Sequence, residues 1–300
     1  MKVLIIGGAN ADIFASSSGP FIAGDSNPGT VSTSPGGVGR NIAHNLALLG
    51  DKVSFLTVFG SDSFGHMLRD SCKEAGIDIS RSEVVRGARN ACFVSVHGAD
   101  GELLGGVSDM AITWLMTPEW LEARIPAINA ADAVVADTNL PAATLALLVG
   151  CCQKPLYIDA VSSAKVVRLR EALAASRLPD CGRIYVKCNR IEGEVLQNSV
   201  VGSSGMGVID RLFVSMGSEG VQIRENGTVI SVPAKPVTGI VNTTGAGDAL
   251  LAGIVHCGPD ANPVDAVHFG QSCARMSMLT ASAVNPAIAN LAYLDTGDSI

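Results

Sequence analysis

Asn242-Thr243-Thr244-Gly245-Ala246-Gly247-Asp248 runs directly into the apolar stretch Ala249-Leu250-Leu251-Ala252-Gly253. Small residues at the mouth of a helix let successive backbone N–H groups converge at the positive end of its dipole, which makes a cradle for an anion. A phosphoryl group in transfer needs such donors, because charge accumulates on its oxygens. Asp248 lies in the first turn of that helix, where it can accept a proton from an attacking hydroxyl. It needs no raised pKa for this, since the proton leaves as the oxygen bonds to phosphorus. Taken alone, Gly-x-Gly-Asp also fits a plain turn with a carboxylate at a helix start. Four further segments shift the balance.

Pro35-Gly36-Gly37-Val38-Gly39-Arg40-Asn41 opens a second helix. Gly36 and Gly37 admit close approach of a flat or hydroxylated ligand, and the Asn41 amide can bridge two hydroxyls. In Asn10-Ala11-Asp12, Asp12 can accept from vicinal hydroxyls, although an Asp after a strand is commonly a turn residue. Asn189-Arg190-Ile191-Glu192 can turn an amide and a carboxylate toward a magnesium ion and its waters. The same Asn-x-x-Glu spacing serves equally as a helix cap. Val214-Ser215-Met216-Gly217-Ser218-Glu219-Gly220-Val221 is a strand and glycine turn suited to nucleotide phosphates or ribose.

The rest of the chain must hold these segments in place. With 300 residues and 47% hydrophobic content it can bury a large core, built mainly from Ala, Val, Leu and Ile because aromatics are only 4%. Strands are expected at 3–6, 53–58, 133–135, 156–158, 183–186 and 211–215. They alternate with helices near 41–49, 67–75, 142–149, 164–174, 249–256 and 263–280. Such alternation implies a mostly parallel sheet covered on both faces. Residues 13–34 lack helical period, and 91–96 with 102–107 flank an Asp100-Gly101 turn as a hairpin. Segments 13–32 and 91–109 are therefore expected to form a small β lid on a core made of 1–12, 33–90 and 110–300. His268–Leu279 can wall an adenine pocket, although its Ala and Met are also good helix core.

The net charge of −7 argues against a nucleic-acid surface. It leaves a small anion open, because backbone amides bind phosphate without side-chain charge. Cys72, Cys92, Cys151, Cys152, Cys181, Cys188, Cys257 and Cys273 are scattered with no C-x-x-C pair, and read as reduced thiols. The run 1–6 is too short for a signal-peptide core or membrane helix, so a cytoplasmic protein is expected. Gly7-Gly8-Ala9-Asn10-Ala11-Asp12 breaks the dinucleotide G-x-G-x-x-G spacing, and no Walker-type G-x-x-x-x-G-K-[ST] occurs.

Taken in order, these segments resemble the ribokinase-like family of carbohydrate and nucleoside kinases over nearly the whole chain. The two most specific motifs are Gly36-Gly37-Val38-Gly39-Arg40-Asn41 and Thr244-Gly245-Ala246-Gly247-Asp248. The resemblance implies an α/β fold, a three-layer sandwich with a mostly parallel central sheet and a small β-sheet lid. It implies ATP and Mg²⁺, with Asp248 as catalytic base and Gly245, Ala246 and Gly247 as anion hole. Asn189, Ser215, Gly217, Ser218, Gly220 and Thr244 fall where the family holds the nucleotide, and Glu192 where it organises Mg²⁺ through water. Asn10, Asp12, Gly36, Gly37, Asn41 and Asn139 match its contacts to sugar hydroxyls. Asn242 replaces the aspartate that helps place a monovalent cation, which weakens the case for K⁺. Ser26-Asn27-Pro28-Gly29, Asn242 and Asp159-Ala160-Val161-Ser162-Ser163-Ala164-Lys165 look like the pseudouridine kinase branch, which turns Ser26 and Lys165 toward a uracil-like base. The alternatives are a kinase for another nucleoside or a free sugar, and a catalytically inactive regulatory protein on the same fold. A small-molecule substrate, no membrane and a homodimer through the lid complete the expectation.

Overall fold

The strand Lys2–Ile6 has a lysine at its rim followed by four buried apolar residues, as a strand covered on both faces requires. Val3 and Ile5 enter one apolar layer, Leu4 and Ile6 the opposite one, following the two-residue period of the pleat. The computed structural model describes residues 1–175, 182–200 (backbone alone over 197–200) and 209–291. Cys181 lies outside the described residues.

In chain order the strands are Lys2–Ile6 (β1), Asn10–Ser17 (β2), Gly29–Gly36 (β3), Lys52–Leu56 (β4), Val58–Gly60 (β5), Glu83–Val85 (β6), Ala91–His97 (β7), Leu103–Asp109 (β8), Ala133–Asp137 (β9), Leu156–Asp159 (β10), Ile184–Asn189 (β11), Arg211–Ser215 (β12), Val221–Glu225 (β13) and Thr228–Val232 (β14). The α-helices are Val38–Leu48 (α1), Ser63–Glu74 (α2), Pro118–Glu122 (α3), Ile125–Ile128 (α4), Ala142–Cys151 (α5), Val166–Ala175 (α6), Arg190–Val200 (α7), Ala246–His256 (α8) and Pro263–Ser277 (α9).

Eight strands form the central sheet in the order β14-β13-β12-β11-β10-β9-β1-β4. It is parallel from β4 to β12 and antiparallel only through β13 and β14. One face carries Leu4, Ile6, Val134, Ile158 and Val186 and is covered by apolar residues of α3 to α7. The other carries Val3, Ile5, Val135, Tyr157 and Tyr185 and is covered by α1, α2, α8 and α9. The expected three-layer α/β/α arrangement is what the chain adopts. No helix among the described residues is long and apolar enough to cross a membrane.

A second sheet has the order β3-β2-β7-β8, and its β7–β8 hairpin closes over the expected Asp100-Gly101 turn. Pairing of β2 with β3 spans Asn10↔Gly36 to Ser17↔Gly29, so Asn10, Asp12 and Gly36 belong to this sheet rather than to a connecting loop. The hairpin of β13 and β14 was not anticipated, although Asn226-Gly227 carries its signal. Both residues have positive φ, 49° and 76°, as a two-residue primed turn demands.

Gly37 caps α1 at φ 100° and ψ 133°, a region nearly closed to other residues, and a Cβ there would lie 2.6 Å from the Gly8 carbonyl oxygen. Gly50 also has positive φ, 90°, but a Cβ would meet nothing within 4 Å. Gly37→Ala should lower unfolding stability by about 2–4 kcal/mol and Gly50→Ala by about 1 kcal/mol, since strain is common to both and the clash is not. Denaturant midpoints at unchanged slope would show this; equal losses would contradict it.

Candidate active site

From β1 the chain fills the sheet outward in one direction through β4 and in the other through β9. The crevice at such a switch point opens at the carboxyl ends of β1 and β9. Asp137 ends β9 and is wholly buried there. Its Oδ2 accepts from the N–H groups of Gly8 and Gly39, each at 2.9 Å, and its Oδ1 from that of Asn139 at 2.9 Å. These donors, one of them in the first turn of α1, offset part of the burial, which still holds this carboxyl above the usual carboxylate range.

Register then repeats the motif along the sheet. Asp137 pairs with Asp159 of β10, and Asp159 with Lys187 of β11. All three continue the face that carries Val135, Tyr157 and Tyr185, toward α1 and α8. The buried Lys187 ammonium donates to Asp159 Oδ2 at 3.0 Å. Burial opposes its charge, but Asp159 first and then Asp248 favour it, and the net effect raises its pKa. A Cβ on Gly247 would lie 2.5 Å from Lys187 Nζ, so the ammonium sits directly beneath the opening of α8.

Asp248 stands in the first turn of α8 and is buried. Gly245 caps the helix in the left-handed region, φ 83°, with the Ala283 backbone packed where a side chain would stand. Asn41 Nδ2 donates to Asp248 Oδ2 at 2.9 Å, joining two motifs separated by 207 residues. Burial, then the Asp159 charge, push the Asp248 carboxyl up to about 8, while Lys187 and the Asn41 hydrogen bond work against them.

Asn189 and Glu192 form a reciprocal cap on α7. The Glu192 carboxylate accepts from the Asn189 N–H and Nδ2, both at 2.7 Å, and the Glu192 N–H donates to Asn189 Oδ1 at 2.9 Å. The helix-cap use of this spacing is thus present, with Glu192 buried close enough to feel the Lys187 and Asp159 charges. Ser215, Gly217, Ser218 and Gly220 line a cleft of about 600 Å³, which Ala246 and Gly247 share. Val221, Leu250, Ala274 and Met278 add apolar wall, so residues of 268–279 face this cleft as well as the core. Thr243 rather than the expected Thr244 lines it; Thr244 is exposed, and its N–H donates to Asn242 Oδ1 at 2.9 Å.

Asn10, Asp12, Gly36, Gly37 and Asn41 lie where β2 and β3 meet α1, and Asn10 Nδ2 donates to Asp12 Oδ1 at 2.6 Å. Lys165 Nζ donates to Asn139 Oδ1 at 2.7 Å, after a loop in which Val161 holds a φ of 60°, unusual for a β-branched residue. Ser26 stands apart from this group, exposed in the loop between β2 and β3. Sequence reading missed Lys187, Asp159 and Asp137 as members of the site. The signal was available: each is a charged residue at or within two residues of the end of a largely apolar strand that is covered on both faces.

Residues 1–290 match the pfkB family carbohydrate kinases. Pseudouridine kinase of Escherichia coli K12 is 34% identical over 97% of this chain and 96% of that protein. The solved structure of a carbohydrate kinase from Agrobacterium tumefaciens superposes with a TM-score of 0.79 at 26% identity, covering 96% of this chain and 95% of that one. Arabidopsis thaliana ribokinase, solved with ribose and ATP, shares the fold at a TM-score of 0.79 and 18% identity over 97% and 98% of the two chains. The fold is ribokinase-like, and the chain belongs to the pfkB family of carbohydrate kinases, phosphotransferases that act on a hydroxyl group.

Proposed function

We propose that this sugar or nucleoside kinase transfers the γ-phosphoryl group of ATP to the 5′-hydroxyl of pseudouridine, with Asp248 as the base. One observation carries the chemistry: a buried carboxylate opens α8 between the cleft that Gly247 lines and the amide of Asn41. The substrate rests on the 34% identity to a pseudouridine kinase over nearly the full length of both chains.

In this reading the triphosphate reaches along the cleft past Ser215, Gly217, Ser218, Gly220 and Thr244 to the mouth of α8. Asn10, Asp12, Gly36, Gly37, Asn41 and Asn139 hold the ribose hydroxyls. Lys165 and Ser26 meet the base, Ser26 being carried in as the small sheet closes as a lid and excludes water. Asp248 takes the 5′-hydroxyl proton as that oxygen bonds to the γ-phosphorus, and the bond to the β–γ bridging oxygen breaks to release ADP. The N–H groups of Gly245 and Gly247, that of Ala246 once it leaves the Thr243 carbonyl oxygen to which it donates at 3.2 Å, and the Lys187 ammonium receive the charge on the equatorial oxygens. Among the described residues the Lys187 ammonium makes one hydrogen bond, to Asp159, which leaves donor capacity for a phosphoryl oxygen.

Mg²⁺ suits this site only as an ion carried by phosphates and water. No group of three His, Cys, Asp or Glu among the described residues can cage it, and Glu192 is engaged with Asn189. Bound with ATP, it would neutralise β- and γ-oxygens, with Asn189 and Glu192 orienting its waters. A second reading, a kinase for another nucleoside or a free sugar, uses the same chemistry. It is favoured by the position of Ser26, exposed in the loop between β2 and β3, whereas Asn10, Asp12, Gly36, Gly37 and Asn41 lie together where β2 and β3 meet α1.

ADP release from Mg-ATP with pseudouridine, uridine, adenosine, ribose and fructose, with and without K⁺, separates the readings. Pseudouridine should be turned over best; preference for a free sugar would replace the substrate, and silence on all five would favour an inactive regulatory protein. Asp248→Asn should lose about 10²–10⁴-fold in turnover. It should also melt higher than the wild type. A carboxyl whose folded pKa lies above its unfolded value stabilises the fold below the unfolded value, and that contribution is lost as pH rises through the folded one. The neutral amide escapes this loss, so its advantage should widen from about pH 4 to about pH 8. An unchanged gap in melting temperature across that window would contradict the raised pKa.

The small sheet exposes Val31, Leu103 and Val107. We take this apolar set as a face for a second copy, as lid-bearing chains with uncovered sheets bury them against themselves. Light scattering at micromolar concentration should report dimers, and Val31→Glu with Val107→Glu should give monomers; a wild-type monomer would overturn the assignment.

A further inference from the structure

Arg40 follows the glycine turn of α1 and is almost wholly buried, yet its hydrogen-bond partners among the described residues include no carboxylate. Its guanidinium is spent on neutral acceptors from three elements. Nη1 donates to the Pro35 carbonyl oxygen at the end of β3, 3.2 Å, and to Asn41 Oδ1, 3.1 Å. Nη2 donates to Ser71 Oγ of α2 at 2.6 Å and to His44 Nδ1 of α1 at 3.0 Å. Burial and the Arg40 charge hold the His44 imidazole down to about 4, so it is neutral and its Nδ1 can accept.

A guanidinium has donors and no acceptor, so the group facing it must be an oxygen or a bare ring nitrogen. That settles the Asn41 amide: Oδ1 faces Arg40 and the NH₂ is turned outward, onto Asp248 Oδ2. Without Arg40 the amide can rotate by half a turn and present its oxygen to the carboxylate, replacing attraction by repulsion. With it, one carboxylate oxygen is occupied and the other is directed to the hydroxyl.

We propose that Arg40 is a positioning residue for Asp248, acting through Asn41, and that its bond to Pro35 ties the seating of the base to the end of β3 beside the Gly36-Gly37 turn. The proposal rests on Asp248 being the base. A clamp that merely holds α1 against α2 would use the same buried arginine, so the test must move something a clamp does not.

The titratable groups facing Asp248 are Asp159 of β10, Lys187 of β11 and Asp137 of β9; those facing Arg40 are Asp12 of β2, Cys72 of α2 and His44 of α1. His44 is already neutral where the assay runs, which leaves Asp12 and the cluster around Asp248 to set the acid limb of the turnover profile; the Asn41→Ala background separates them, because a shift that comes from Asp12 would persist there. Steady-state kinetics against pH would be measured for the full chain and for Arg40→Met, Arg40→Lys, Asn41→Ala, Ser71→Ala and the double variant Arg40→Met with Asn41→Ala. The substrate is whichever the wild type turns over best with Mg-ATP.

Arg40→Met should lower kcat by about 10- to 100-fold, the worth of a hydrogen bond to a charged group, with KM for ATP near the wild-type value. Its acid limb should move to higher pH, because the Asn41 bond that favours the ionised carboxylate is weakened. In the Asn41→Ala background the arginine substitution should cost almost nothing more, as expected for two residues acting in series. Arg40→Lys should recover part of the loss. Ser71→Ala, which releases α2 and leaves the Asn41 contact, should lower the melting temperature without moving the acid limb. Additive losses in the double variant, or an acid limb that stays in place, would overturn the proposal. If Arg40→Met does not fold, the contrast of Arg40→Lys with Ser71→Ala decides it on the same readout. Turnover retained by Asp248→Asn would remove the base itself; additive losses with Asp248 essential would remove only the arginine's part.

Discussion

Asp137, Asp159 and Lys187 stand in parallel register at the carboxyl ends of three neighbouring strands, and Asp248 is set above them at the start of a helix. Three carboxylates and one ammonium thus share a volume largely closed to water. A buried ion costs several kcal/mol when it is left uncompensated, so this row dictates what must surround it. Asp137 is met by three backbone N–H groups, Asp159 by the Val161 N–H and Lys187, and Asp248 by Asn41 and the positive end of α8. The compensation is incomplete, and the shortfall shows in the raised pKa of Asp248. Because register is set by the whole sheet, no local rearrangement of side chains relieves it.

That arrangement explains why the site is made so largely of backbone. Added cationic side chains would quench the acids that the chemistry needs, whereas N–H groups at helix starts bring partial charge without titrating. The glycine turns at the openings of α1 and α8 supply them, and each exists because another part of the chain occupies the space of the missing side chain. Gly37 lies against Gly8 and Ala9, and Gly245 against Ala283. Site and core are consequently one construction: α8 is buried around most of its circumference, and its one acid is the residue that faces the cleft mouth and Asn41.

Much of this was legible in the sequence because it depends on local rules. Short continuous apolar runs and helix-spaced leucines pointed to the layers, and the glycine motifs before Asn41 and Asp248 marked the two helix openings. Asn189 with Glu192 was legible as both cap and ligand, since the two uses ask for the same spacing. What escaped was long-range. Lys187 reads as one polar residue in an apolar strand until β10 supplies Asp159 in register beside it, and Asp137 reads as a strand-end turn residue until Gly8 and Gly39 come within reach. The β13–β14 hairpin escaped for another reason: its Arg224-Glu225-Asn226-Gly227 stretch is too polar to look like a strand pair, although it is an edge that water can reach.

The balance around Asp248 also bears on how the protein handles an anionic nucleotide while carrying a net charge of −7. A phosphate brought to the mouth of α8 adds negative charge beside a carboxylate already reluctant to ionise, and would drive it further toward the neutral acid. Lys187 is the only side-chain cation among the groups that perturb Asp248, and it is pinned to Asp159 from below. In the proposed reaction its charge would serve both the phosphoryl oxygens and Asp248, which a compact charge with three donors can do. The fixed donor Asn41 then matters more than its neutral amide suggests, for it stabilises the ionised carboxylate without attracting the phosphate. In the proposed function, competence as a base is thus a property of β10, β11, α1 and α8 packed together, and without Asp159, Lys187 and Asn41 around it Asp248 would have the affinity for a proton of any other aspartate at a helix start.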